Sequence, residues 1–199
     1  FVARHGHAST FISQDGFLVQ VVRPGADEKA PSHGVNVRYT FEDVAPTARA
    51  TGDMPLAGRL NYLIGADSSR WITDVPTFAR VTVHGVHAGT AVTFHESDGR
   101  LEYDIELAPG ADPDSMVVRC DGADRLEIDS TGALVAWTDL GPIRQEPPRT
   151  CCVSPDGTRR AVASRFRLID AKHFGFDVPD RNPLHGLVID PTVVFGGSL

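Results

Sequence analysis

Glycine and proline interrupt this chain too often for long helices. The 199 residues hold 19 glycines and 14 prolines, spread so that few windows of about 11 residues carry an i, i+3, i+4, i+7 apolar stripe without a breaker inside. A proline inside a helix removes a hydrogen bond and clashes with the preceding turn. What fits between the breaks is short strands, and the residues there alternate as strands do. Phe17–Arg23 and Val35–Phe41 read as alternating runs, as do Phe78–Val83, Leu101–Leu107 and Arg165–Ile169. Strands at this spacing, separated by turn residues, predict an all-β fold. We expect an antiparallel β-sandwich, extended in outline if the loops allow, with at most a turn or two of helix.

One hairpin can be placed in register. Asp98-Gly99 is a strong two-residue turn signal, and it pairs Ser97 with Arg100, His95 with Glu102, Phe94 with Tyr103, Thr93 with Asp104 and Val92 with Ile105. Val92, Phe94, Tyr103 and Ile105 then share a core face, while Thr93, His95, Glu102 and Asp104 share the other. Two more hairpins are expected, at Asp129–Gly132, joining 125–128 to 134–137, and at Ser154–Gly157, joining 150–153 to 160–167. Asp112 or Asp114 is placed to cap a short helical turn near Ser115. Pro24–Ser32 reads as a loop. Nothing divides the chain, so residues 1–199 are read as a single sandwich-like domain.

Charge and composition exclude some functions. A net charge of −7 with scattered arginines offers no basic stripe for nucleic acid. No apolar run approaches the roughly 18–20 residues of a membrane helix, so a soluble chain without membrane insertion is expected. The first residue is Phe1 rather than Met, which fits a mature product or an excised piece. Three cysteines, Cys120, Cys151 and Cys152, are too few and wrongly spaced for a zinc–thiolate site. Cys151 and Cys152 point to opposite strand faces, so either one pairs with Cys120 or all three are small buried residues.

Four stretches carry a family resemblance. They are Leu60–Gly65, then Trp71 with Val75–Val81, then Gly99–Asp104 running into Ala108–Pro113, and finally Leu187–Pro191 ahead of Gly196-Gly197-Ser198. In this order, over the whole chain, they resemble the amino-terminal domain, of unknown function, of large bacterial surface proteins that carry SBBP-type β-propeller repeats. The resemblance implies an exported protein of the extracellular space or cell surface. It also implies that a propeller or other surface module starts near residues 195–199. The partners expected of the chain are glycans or other surface protein modules. The resemblance supplies no catalytic residues. The histidines at 84, 87 and 95 depart from the family pattern.

The residues themselves offer five candidate sites. His84, His87 and His95 lie close in sequence, and the hairpin register sets His95 against Glu102, a pairing able to hold a divalent metal or act as a general base. The ordinary reading is a solvated surface pair. His5 and His7 share a strand face and need a third ligand to bind metal. Glu102, Asp104 and Glu106 are spaced at about 7 Å along one strand face, within the range of glycosidase carboxylate pairs, yet alternating acids are ordinary on a half-exposed sheet. Trp71, after Ser68-Ser69-Arg70, is the candidate platform for a sugar ring, and Trp137 reads as core. Asp53, Asp112, Asp114, Asp121 and Asp124 sit in oxygen-rich loops of the kind calcium favours, though turn chemistry explains them without an ion. The leading expectation is a non-catalytic surface module for assembly, adhesion or display, without cofactor. The alternatives are a carbohydrate-active domain and a metal-binding enzyme.

Overall fold

The computed structural model describes residues 1–5, 8–25, 30–97 and 100–195, and of His5 and Phe195 only the backbone. Its strands, in chain order, are β1 (Val2–His5), β2 (Ala8–Ser13), β3 (Gly16–Arg23), β4 (His33–Phe41), β5 (Arg49–Tyr62) and β6 (Ile72–His84). Then follow β7 (Thr90–Ser97), β8 (Arg100–Leu107), β9 (Val118–Asp121), β10 (Arg125–Ile128), β11 (Leu134–Thr138) and β12 (Gly141–Gln145). The last are β13 (Arg149–Val153), β14 (Arg159–Val162), β15 (Arg165–Leu168), β16 (His173–Asp177), β17 (Gly186–Asp190) and β18 (Thr192–Phe195). Helix is confined, among the described residues, to 3-10 turns at Ser68–Arg70 and Pro113–Ser115. Asp112 caps the second by accepting from the Asp114 amide, as the sequence suggests.

The fold is all-β and sandwich-like. A smaller sheet runs β1-β2-β3-β4-β9-β16-β15, and every pairing in it is antiparallel. The larger sheet joins two halves through β8. On one side of β8 lie β7, β6 and β5. On the other lies one interrupted strand, β17 and β18, broken only at Pro191. Its register against β8 runs unbroken from Leu187↔Leu107 to Val193↔Leu101. Beyond the break the sheet forks: β13 and β14 continue from β17, while β12, β11 and β10 continue from β18.

The core lies between the two sheets and follows from the period-2 alternation. Phe17, Tyr39 and Phe41 enter from the small sheet, and Phe94, Tyr103 and Ile105 enter from the large one. Phe17 stacks on Tyr39 at 4.7 Å and meets Phe94 and Tyr103 across the sandwich at 5.4 and 5.3 Å. Burying each such ring contributes about 1.5–3 kcal/mol. Gly16 makes this approach possible, because at φ 143° a Cβ there would sit 2.0 Å from the Tyr39 carbonyl oxygen. The hydroxyl of Tyr103 is wholly buried and donates to Gln145 Oε1 at 2.7 Å.

The β7–β8 register is the one the Asp98-Gly99 signal predicts, pair for pair from Val92↔Ile105 to Ser97↔Arg100. The turn itself lies outside the described residues. The β10–β11 hairpin also forms as expected. The hairpin at Ser154–Gly157 forms, but its second arm is shorter than the sequence suggested. β14 ends at Val162, and the chain crosses to the small sheet as β15, with Ser164 Oγ donating to the Pro148 carbonyl at 2.9 Å. All three cysteines are free thiols, Cys120 and Cys152 buried and Cys151 half-buried.

The largest departure from expectation is an arm. β5 and β6 are 14 and 13 residues long, and only their base joins the sheet, through β6 residues 80–84 pairing with β7. The outer part projects as an irregular ribbon whose register shifts twice. Met54 and Asp74 take positive φ there, at 54° and 58°. Such bulges twist a ribbon away from flat pairing with other chains.

Candidate functional site

The outer face of the large sheet carries most of the polar residues that the sequence singles out. β7 and β8 bring His95, Glu102, Asp104 and Glu106 to this face because they occupy alternate positions opposite the core residues. His95 Nε2 lies 3.3 Å from Asp104 Oδ2, rather than bonding its direct cross-strand partner Glu102. Glu102 Oε1 accepts from Thr192 Oγ1 at 3.1 Å, and Glu106 Oε1 accepts from Thr93 Oγ1 at 3.0 Å. The bond from Asp104 holds the His95 pKa above its usual range, against the opposing effect of burial.

The register also brings in Asp190, which sequence reasoning missed. It pairs with Arg149 on one side and falls opposite Asp104 on the other. Its half-buried carboxyl is pushed up to about 6, first by desolvation and then by the negative charges of Asp104 and Glu102. Asp190 Oδ1 is buried without a hydrogen-bond partner. The signal that could have found it is the motif Ile189-Asp190-Pro191, in which a proline breaks a strand beside an acidic residue.

The three neighbouring histidines do not converge. His84 and His95 share the outer face, but their register positions are four residues apart along the sheet, roughly 13 Å at strand rise. His84 Nε2 lies 3.0 Å from Thr51 Oγ1. His87 turns elsewhere, its Nε2 lying 2.8 Å from the Glu42 carbonyl oxygen. His7 lies outside the described residues, as does the side chain of His5. Among the described residues, no group of three or more His, Cys, Asp or Glu side chains is arranged to hold a metal ion. The loop aspartates are occupied by their own surroundings: Asp112 pairs with Arg181, Asp114 with Arg167, Asp121 with Arg119, and Asp53 accepts from Thr82.

Trp71 sits at the tip of the arm, 40% exposed. Its indole Nε1 donates to the Gly65 carbonyl at 3.1 Å, which fixes the ring on the tip loop. Trp137 is half-buried rather than fully core, with the Arg125 guanidinium 4.7 Å above its ring. The arm exposes further apolar side chains, including Leu56, Leu63, Ile64 and Ile72, the last two at 76% and 62%. Apolar clusters of this kind on a soluble protein mark interaction sites.

Between the arm and β1 lies a cavity of about 620 Å³. Phe1 meets Phe78 edge-on at 5.9 Å across it, and the Arg4 guanidinium lies 5.8 Å from the Tyr62 ring centroid. His95 borders this cavity, but Glu102, Asp104 and Asp190 do not. A second cavity, of about 550 Å³, opens beside Glu106 and Arg159 at the far end of the sheet. The carboxylate cluster itself therefore lies outside both of these cavities.

A family model matches the chain over residues 1–192. The chain belongs to a family described as a domain of unknown function, DUF7948. No curated protein and no solved structure is detectably similar to it.

Proposed function

We propose that this chain is a non-catalytic module of an extracellular or cell-surface protein, working in assembly, adhesion or ligand display, and that it engages its partner through the β5–β6 arm. The observation that carries this reading is the arm itself, a long ribbon that stands off the sandwich with large apolar side chains in solvent. A ribbon built only for stability would turn those side chains into the core. The resemblance to SBBP-repeat surface proteins supports an exported setting with further modules nearby. No described helix is long and apolar enough to cross a membrane.

The test compares the protein with a variant altered on arm residues away from the cavity: Leu56→Ser, Leu63→Ser and Trp71→Ser. Retention on intact cells of the producing bacterium is the readout. The variant is expected to fold normally and to lose retention by about tenfold or more, the scale of losing a few exposed apolar anchors. Equal retention of both proteins counts against the arm. No turnover is expected on glycan or ester panels, and reproducible hydrolysis abolished by Glu102→Gln overturns the non-catalytic reading.

A second reading is favoured by Asp190 alone. A carboxyl poised near 6 beside Asp104 and Glu102 has the pairing of acid and base that glycoside cleavage uses. If the outer face is such a site, hydrolysis of a glycan panel follows a bell-shaped pH profile whose acidic or basic limb moves in Asp190→Asn. A flat, inactive profile sets this reading aside.

A further inference from the structure

We propose that the cavity between β1 and the arm is a strand-acceptor groove, which takes an extended peptide with apolar side chains at alternate positions and carboxylates between them. The inference rests on reading the chain as an assembly module and names the chemistry of its partner.

Among the described residues, two strand edges without a ladder partner border the cavity. The backbone nitrogen of Phe1 donates to the Ile12 carbonyl, and the Ile12 amide donates to the Phe1 carbonyl, both at 2.9 Å. Phe1 is thus in a hydrogen-bonded pair with β2, and alternation along the ladder directs the backbone groups of Val2 and Arg4 away from β2. β1 is the terminal strand of its sheet, with β2 as its pairing partner. Across the cavity, β6 pairs with β7 only from Arg80 onward. Its outer residues, 72–79, pair with β5 on one side and leave the β7-side edge open. Exposed edges of this kind template a further strand. The open stretch of β6 matches an extended peptide of about eight residues at strand rise.

The walls supply specificity. Phe1, Tyr62, Ile72 and Phe78 make them apolar, suited to every second side chain of an extended strand. Arg4 and Arg80 also line the cavity, and among the described residues neither has a carboxylate within ion-pair distance. His95 adds a group whose charged form Asp104 favours, while Glu96 is the acidic side chain of the wall. On a chain of net charge −7, two arginines with no ion-pair partner among the described residues, set beside open strand edges, are complementary to carboxylates and repel cationic peptides.

The probe is a fluorescein-labelled octapeptide with Val at alternate positions and Asp between them, followed by anisotropy against the whole chain. Three controls accompany it: the same peptide with Lys for Asp, a version N-methylated along one backbone edge, and sedimentation of the protein alone. Saturable binding of the acidic peptide is expected, with no binding of the lysine peptide and loss of affinity on N-methylation. Arg4→Glu combined with Arg80→Glu should weaken binding by about tenfold or more. Both arginines are solvent-accessible groove residues outside the core, and unchanged circular dichroism confirms the fold. Absence of saturable binding, equal binding of the lysine peptide, or indifference to N-methylation overturns the proposal. So does concentration-dependent dimerisation that the acidic peptide fails to reverse, since a second copy then fills the groove. Because the cell-retention variant leaves the groove side chains intact, loss of retention with a silent peptide assay rejects the groove and keeps the arm reading. Failure of both assays rejects both.

Discussion

At the residue scale, Asp190 makes the clearest solution prediction. Its folded pKa, about 6, stands above the ordinary carboxyl value of 3.8. Between those two pH values the folded chain holds a proton that the unfolded chain has released. Stability therefore rises as pH falls from 6 toward 3.8 and declines as pH rises through that window. His95 acts in the same sense at higher pH: its raised value adds stability below 6.5 that is lost as pH climbs through the folded pKa. Replacing Asp190 by Asn removes the first effect. The variant should melt higher than the parent near pH 8 and no higher below about pH 4, which thermal melts across that range will show. Tyr103 provides a second residue-level check. Tyr103→Phe strands the buried Gln145 Oε1 that its hydroxyl serves. Chemical denaturation should register a loss of about 1–3 kcal/mol.

The cysteines extend the residue argument to reactivity. Burial pushes the Cys120 thiol up to about 12, with Asp121 adding to the effect. Cys152 is 1% exposed. Of the three thiols, Cys151 alone should react with Ellman's reagent in the native state, and reductant should leave the melting temperature unchanged. More than one fast-reacting thiol contradicts this arrangement.

At the scale of elements, the sequence spoke most clearly where turn chemistry and alternation agreed. The β7–β8 hairpin has both, so its full register and its two faces could be written from the residues alone. The outer positions of His95, Glu102 and Asp104 followed from it. What escaped was whatever depends on a distant strand. Asp190 acquires its character from β8 and β13, far away in sequence, and the local motif Ile189-Asp190-Pro191 marks only a strand break beside an acid. The choice of Asp104 over Glu102 by His95 is a matter of diagonal reach, which register alone leaves open. The arm was obscured for a local reason: Pro55, Pro76 and the register shifts between Pro55 and Arg59 and between Leu60 and Tyr62 break the alternation, so only its base was visible as a strand. Its mechanical independence gives a test. Replacing residues 56–77 by Asn-Gly would connect the paired positions Pro55 and Phe78 through a favoured turn. Since no residue of the excised stretch belongs to the buried core, unfolding free energy should change by less than about 1 kcal/mol, within the range of surface changes. A collapse in stability assigns the arm a structural role instead.

At the scale of the whole molecule, the sandwich needs neither a disulfide nor a described metal cluster to explain its core. Both sheets contribute aromatic rings to one continuous apolar cluster. The acidic surface is locally compensated over much of its extent. Asp129 shows this: its pKa is held well below the usual range by the Thr131 hydroxyl and the Arg144 guanidinium. Against such a surface, the arm and its neighbouring groove combine exposed apolar side chains with two arginines, Arg4 and Arg80, that have no ion-pair partner among the described residues. They were not legible as one site from the sequence, because β1 and β6 belong to different sheets and meet only once the sandwich closes.

The bipartite strand β17–β18 has a consequence for timing. It is the bridge by which β8, made near the middle of the chain, meets both β12 and β13, and it comes last among the described strands. During synthesis the large sheet must wait as three unjoined pieces, β5–β8, β10–β12 and β13–β14, until residues 186–195 arrive. Such long-range closure is slow to nucleate. Pulsed hydrogen exchange during refolding should show the amides of β8 facing β17, and those of β12 facing β18, gaining protection in one late phase, whereas the β7–β8 hairpin forms early. Early, independent protection on the β17 side of β8 would show that the pieces join by another route.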